Sequence, residues 1–346
     1  MVQGKEESVV SDPLNRSAQR MKDIATLANV SVSTVSRALA GSPLVAKDKR
    51  DYIIELARQQ GYVVDTAARN LRLKRANTIC LAIPLAHAAD QRLTDPFFME
   101  MICHLADAVT ERGYGLFLQK IIPPMDNWLS KLMAAQRVDG LLVLGQSTEH
   151  AALQAMARQF KPMVVWGGHS EDNVYCTVGT DNRAGGALAV RHLIERGCKR
   201  VVYFGQTDAV EFQLRQRGWS EALRAAGLNA ELVVETSMSA EHAVQAMRAF
   251  LQRGESVDGV FAASDVLATS ALKALRESGL RVPDDVAVVG FDDIALAQMV
   301  HPSLSTVHQD LVQGARLMVD LLFKRLAGEE TESVMLTPRL IRREST

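Results

Sequence analysis

Between Ser31 and Arg37 the chain sets out Ser31, Val32, Ser33, Thr34, Ser36 and Arg37, small hydroxyls and one guanidinium on a single short helix. Hydroxyls and arginine hydrogen-bond to phosphate oxygens and base edges, and a valine can meet a thymine methyl, so this face has the chemistry to read duplex DNA. The elements that must present it are legible on either side. Lys22 to Ala28 reads as an amphipathic helix with Ile24, Ala25 and Leu27 or Ala28 on one face. Asn29 marks a reversal, because asparagine tolerates the left-handed backbone of a tight turn. Ser31 or Ser33 can cap the second helix, Val32 to Leu39, whose Val35 and Leu39 face inward. Gly41, Ser42 and Pro43 end it, and Val45 to Gln60 reads as a third helix. Three short helices in this order form a helix-turn-helix unit. A small bundle with a polar face is the plainer reading of the same residues, and charge separates the two. Residues 16–75 hold twelve Lys and Arg against five Asp and Glu, a net +7 within a chain of net −1. A basic head on an acidic body suits a nucleic-acid partner rather than a membrane.

Other reactive residue types do not assemble into a site. No GxGxxG follows the first strand, and no GxxxxGK followed by Ser or Thr is present. The eight histidines are dispersed without metal-ligand spacing, so neither cofactor nor metal is expected and catalysis is not predicted. Asp292 and Asp293 are adjacent, but neighbours on an extended segment point to opposite sides. Cys80, Cys103, Cys176 and Cys198 lack CxxC spacing, and buried free thiols in a reducing cytosol are expected. Residues 1–20 lack an apolar signal core and read as a polar, mobile tail, and no apolar run reaches the length of a membrane span.

From Thr78 onward, short apolar strands alternate with helical stretches. The predicted strands are Ile79–Leu85, Gly115–Ile121, Gly140–Leu144, Met163–Trp166, Val201–Phe204, Leu232–Glu235, Val260–Ala263 and Val286–Gly290. Continuous apolar strands separated by helices mean parallel sheets covered on both faces. Val138-Asp139-Gly140 and Val257-Asp258-Gly259, each before an apolar strand, suggest a duplicated unit with its break near Gly179. The expected fold is therefore an α/β core of two doubly wound parallel-sheet lobes, like a periplasmic binding protein, behind an N-terminal all-α helix-turn-helix domain. The expected division is a tail (1–20), the head (21–63), a linker (64–76), a first lobe (77–178 with 308–330) and a second lobe (179–307 with 331–346). Gly185 and Gly186 sit in a helix opening and read as close-packing glycines.

The run DIATLANVSVSTVSRAL resembles the headpiece of LacI/GalR-family transcription regulators, and the similarity extends from Met21 to the end of the chain. The resemblance implies a homodimer on double-stranded operator DNA, with one recognition helix per half-site and Val32 and Ser33 where operators are most distinguished. It adds Lys22, Tyr62, Ala68 and Arg72 to the DNA contacts. The basic stretch from Thr66 to Leu73, which Asp65 can cap, matches a hinge helix too short to stand alone. Leu71 matches its minor-groove wedge. Many relatives have Pro-Asn where this chain has Val64-Asp65.

The resemblance also implies an effector cleft at the strand carboxyl ends between the lobes. Arg215, in FQLRQRGW, and Asp292, in VVGFDD, match the family's guanidinium and acidic effector contacts, while Asp293 reads as structural. Ser264 and Gln309 match polar positions facing the ligand, and Phe97 and Phe98 offer aromatic faces for sugar rings. Gly167 stands where a sugar-binding member carries an acid, with Trp166 beside it, so a ligand unlike lactose is expected. Glu211 and Met238 add an acid and a soft apolar surface. The expected effector is a sugar, a sugar acid or a related metabolite. A soluble sugar-binding sensor whose head contacts proteins is the alternative reading. The closing PRLIRREST lacks a heptad-bearing tail, which favours a dimer over a tetramer.

Overall fold

The computed structural model describes residues 21–39, 41–62, 76–85, 93–121, 138–170 and 172–346. They divide after Ala76 into two compact units. The segment 1–20 expected as a tail, and Ala68, Leu71 and Arg72 of the expected hinge, lie outside the described residues.

In the first unit, α1 (residues 21–27), α2 (Val32–Leu39) and α3 (Lys47–Gln59) enclose a small core of Ile24, Ala25, Val35, Ala38, Ile53 and Ala57. Ala28 rather than Leu27 completes the inner face of α1; Leu27 is 54% exposed. Ala38 takes the fully buried place on α2, and Leu39 packs only at the edge. Asn29 adopts φ 49°, the left-handed geometry its position requires. The cap is Ser31, whose Oγ accepts from the Thr34 N–H at 3.2 Å.

The second unit holds two six-stranded sheets. The chain runs β1 (Thr78–Pro84), α4 (Pro96–Glu111), β2 (Gly115–Ile121), β3 (Gly140–Leu144), α5 (His150–Gln159), β4 (Met163–Trp166) and β5 (Cys176–Thr180). It continues through α6 (Asn182–Glu195), β6 (Val201–Gly205), α7 (Val210–Ala225), β7 (Val233–Glu235), α8 (Ala240–Gln252), β8 (Gly259–Ala262), α9 (Asp265–Glu277) and β9 (Ala287–Asp292). It closes with α10 (Leu296–Met299), β10 (Ser305–His308), α11 (Leu311–Leu326), β11 (Val334–Leu336) and β12 (Arg339–Ile341). The first sheet has the order β11-β5-β4-β3-β1-β2 and the second β12-β10-β9-β8-β6-β7. Every pairing is parallel except β12 with β10. In both sheets the strand order reverses beside the first strand, β1 or β6, and a crevice opens there at the strand carboxyl ends.

Four strands depart from the sequence expectation. β5 runs to Thr180 within the first sheet, so a break near Gly179 cuts through a strand of that lobe. β10 is not among the predicted strands, but it lies in the second sheet, the lobe expected for residues up to 307. Residues 331–346 do not all join the second lobe: β11 pairs with β5 in the first sheet and only β12 joins the second. These strands are three to five residues long; hydroxyls or glycine interrupt the apolar character of β5 and β10, and β11 and β12 have only three residues each. The chain therefore crosses between lobes after Thr180, after His308 and after Leu336. α11 returns to the first lobe, where Leu311, Ala315, Met318 and Leu322 pack with Leu142, Val164 and Trp166.

Gly186 has a structural use that reaches the cleft. A Cβ there would lie 2.2 Å from the backbone oxygen of Arg215, and one on Gly218 would lie 2.0 Å from that of Arg183. Two bare backbones let α6 and α7 touch, and this sets the depth of Arg215. Gly186→Ala is expected to push α7 outward and destabilise the core by about 1–3 kcal/mol. A thermal melt unchanged by the substitution would refute this close approach.

Candidate ligand cleft and nucleic-acid face

The cleft between the lobes holds a small cavity of about 80 Å³ lined from both sides. The first lobe supplies Asp95, Phe97 and Phe98 at the start of α4, Gly145 and Ser147 after β3, and Trp166 at the end of β4. The second lobe supplies Glu211, Phe212 and Arg215 from α7, Met238 after β7, Ser264 after β8 and Asp292 at the end of β9. Eight of the nine predicted effector residues thus line one cavity. Gln309 stands behind it, buried, and its Nε2 donates to Asp292 Oδ1 at 2.8 Å.

Local sequence explains these placements. Asp95 caps α4, its Oδ1 accepting from the Phe97 N–H at 3.0 Å, and Pro96 fits the first helical turn. The cap sets the two phenyl rings at the cavity wall with centroids 5.7 Å apart. Ser264 caps α9 through the Leu267 N–H. Its exposure to the cleft and its helix-capping role coincide.

Arg215 is 6% exposed and held on several sides. Its Nε donates to Asn182 Oδ1 at 2.8 Å and its Nη1 to the Ala263 carbonyl at 2.5 Å. The guanidinium lies over the Phe291 ring, 3.7 Å from the centroid, and Nη1 is 3.7 Å from Asp292 Oδ1. Burial pulls its pKa down, with Asp292 acting in the opposite direction. Burial pushes the Asp292 carboxyl up to about 7 against the pull of Arg215, and Asp95 across the cleft adds to the rise. Asp292 has φ 119° and Asp293 φ 62°, a strained pair held by its surroundings. The strain sends the two carboxylates to different places. Asp292 faces the cleft, whereas Asp293 accepts from Arg343 Nη2 at 2.6 Å and pairs with His308 Nδ1 at 2.9 Å.

Gly167 also finds a physical explanation. A Cβ there would lie 2.8 Å from Gln146 Oε1, so the Gln146 side chain occupies the space that a larger residue would need. Gln146 Nε2 donates to the Gly168 carbonyl at 2.9 Å and to Tyr175 Oη at 3.0 Å. The Gln146 N–H donates to Glu211 Oε1 at 3.0 Å, a hydrogen bond from the first lobe to the second. The Ala295 N–H makes the reverse link to Glu100 Oε1 at 3.0 Å.

The sequence reading did not single out Asp95, Ser147 and Phe212. The cap signature Asp-Pro before an apolar run pointed to Asp95, and the three-residue spacing from Arg215 pointed to Phe212. No local signal marked Ser147. Cys103 is exposed, contrary to the expectation of buried thiols, while Cys80, Cys176 and Cys198 are buried.

On the head, Lys22, Ser31, Val32, Ser33 and Arg37 are exposed, and Thr34 and Ser36 are half-buried. Ser31 Oγ bridges to Ser33 Oγ and Thr34 Oγ1, each at 2.8 Å, which fixes a row of hydroxyls at the start of α2. Tyr62 departs from expectation: it is 8% exposed and packs in the core of the head, not on this polar face. Its ring supplies the large apolar surface that a core of alanines and single aliphatics otherwise lacks.

Comparisons with known proteins agree with both units. Residues 20–65 match the model for bacterial regulatory proteins of the lacI family, and residues 190–346 match a periplasmic binding protein-like domain. The HTH-type transcriptional regulator CelR of Thermobifida fusca is 36% identical over 320 residues, covering 90% of this chain and 93% of its own. The HTH-type transcriptional repressor PurR of Haemophilus influenzae (strain PittEE) is 31% identical over 339 residues, covering 94% and 98%. Among solved structures, a CelR–cellobiose complex superposes with a TM-score of 0.71 at 34% identity, covering 94% of this chain and 99% of that one. The lac repressor dimer bound to operator and an anti-inducer shares the fold, with a TM-score of 0.83 at 24% identity over 93% and 97% of the two chains. With relatives this similar along nearly their whole length, and with a hydroxyl-lined helix-turn-helix and a two-lobed cleft in one polypeptide, the chain belongs to the lacI family of bacterial regulatory proteins.

Proposed function

We propose that the protein binds operator DNA through α2 as a homodimer and that a sugar or sugar derivative in the cleft controls this binding. The observation that carries the reading is the meeting of aromatic, acidic and guanidinium side chains from both lobes in one cavity, on the same chain as a basic head. The CelR–cellobiose complex supports a carbohydrate effector. Each recognition helix reads one half-site of a near-palindromic duplex. Ser31, Ser33, Thr34, Ser36 and Lys22 serve phosphates and base edges, Val32 meets thymine methyls, and Arg37 with the Leu71 wedge carries more of the affinity. Ala68, Leu71 and Arg72 act in a hinge segment, with Leu71 as the minor-groove wedge. The effector works by its different affinity for two arrangements of the lobes, which shifts the DNA-competent population. The protein acts in the cytoplasm, on the nucleoid, as a repressor without catalytic activity.

A fluorescence titration of a duplex from the gene's own upstream region, at fixed salt, tests the assignment. Arg37→Ala is expected to weaken binding by about 1–3 kcal/mol. Unchanged affinity would remove Arg37 from the interface, and no binding by the unaltered protein at low salt would overturn the DNA-binding reading.

A further inference from the structure

The cleft holds an excess of negative charge. Asp95 enters it from the first lobe, and Glu211 and Asp292 enter from the second, against Arg215 as the one cation among the described residues that line it. Arg215 is already engaged on several sides. Its Nε and Nη1 already donate to Asn182 and Ala263, one face covers Phe291, and Asp292 balances its charge. Asp95 accepts from the Phe97 N–H at 3.0 Å and Glu211 from the Gln146 N–H at 3.0 Å, so both carboxyls are held at the cavity wall. A carboxylate or phosphate entering this cavity would meet like charges from both lobes, in surroundings where charges are weakly screened.

From this imbalance we infer that the cleft admits uncharged carbohydrate and rejects its carboxylated and phosphorylated forms, with Asp95 and Glu211 as the residues that set this selectivity. The inference rests on the carbohydrate reading above and narrows it. Carboxylate oxygens are acceptors only, which matches sugar hydroxyls as donors and finds no donor on a ligand carboxylate. Trp166, Phe97 and Phe212 provide apolar surface for the C–H faces of a sugar ring. Glu211 also ties the lobes together through Gln146, so a ligand that repels it disfavours the same lobe-to-lobe bond.

The test uses the full chain at about pH 8, above the Asp292 value of about 7. Thermal shift and tryptophan fluorescence are followed with matched probes: cellobiose and cellobionic acid, and glucose, glucuronic acid and glucose 6-phosphate. The expected result is binding of at least one neutral sugar, with its charged counterpart weaker by roughly 100-fold or more. Asp95→Asn combined with Glu211→Gln is expected to narrow that gap at least about tenfold. Both amides keep a carbonyl to accept the helix-cap and lobe-bridging N–H bonds, and a circular dichroism melt confirms the fold. An acid or phosphate that binds as tightly as its neutral parent would overturn the inference while leaving the carbohydrate reading intact. A gap unchanged in the double variant would overturn the assignment to these two residues. If no probe binds in either form, the carbohydrate reading fails and the inference falls with it.

Discussion

Arg215→Ala is expected to lower the stability of the two-lobed core by about 3–5 kcal/mol and to abolish the response to effector. Three losses combine. Asp292 remains buried without the guanidinium 3.7 Å away, Asn182 loses the Nε donor, and the Phe291 ring loses the cation stacked on it. At about pH 8, above the folded-state value of Asp292, removing one partner of this buried pair costs far more than the net value of the pair, because the other charge has no water to turn to. In a core of this size the change corresponds to a fall in Tm of roughly 6–10 °C. Arg215→Lys is expected to rescue little, since an ammonium cannot fork to the Asn182 amide and the Ala263 carbonyl while lying flat on a ring. A loss below about 1 kcal/mol for Arg215→Ala would show that the network is not structural.

Stability is also expected to fall as pH rises from about 4 to about 7. Asp292 has a folded-state pKa of about 7 against an ordinary value of 3.8, so over this window the folded protein holds a proton that the unfolded chain releases. The stabilisation is complete below 3.8 and is lost as pH passes through the folded value. A shift of this size is on the order of 4 kcal/mol. Asp265 adds to it in the same direction. It is fully buried beneath Asp292, accepts from Thr306 Oγ1 at 2.5 Å and from the Ile294 N–H at 3.0 Å, and burial with the nearby Asp292 charge pushes its carboxyl well up. Asp292→Asn is expected to flatten the profile above pH 4, because the amide carries no charge to desolvate. Thermal melts of both proteins across this range decide it: parallel profiles would show that Asp292 does not titrate there.

The head was legible because its signals are local. Asn29 at a reversal, Ser31 before an apolar-periodic run and Gly41 after it each act within a few residues. Tyr62 was misplaced because nothing near it in sequence reveals that it folds back on Ile53 and Ala57. In the core, strands such as Leu141–Leu144, buried on both faces, declare themselves. β5 and β10 do not, since Thr177, Gly179, Ser305 and Thr306 break the apolar run while tertiary packing buries them all the same. β11 and β12 are three-residue strands that exist through their partners, and only pairing reveals which sheet each one joins. The cleft residues were reached through strand ends and family likeness. Gln146 was not, because its role depends on the bare Gly167 it packs against, twenty-one positions away in sequence.

The central claim is that cleft and head are thermodynamically linked, and the most direct test is reciprocity. With the tightest-binding sugar among the probes named above, operator affinity is measured with and without sugar, and sugar affinity with and without operator. Linkage requires both factors to be equal, and a value of about 5–150-fold is expected. A sugar that binds the cleft with the same affinity whether or not the protein is on DNA, while operator affinity ignores it in turn, would contradict the account.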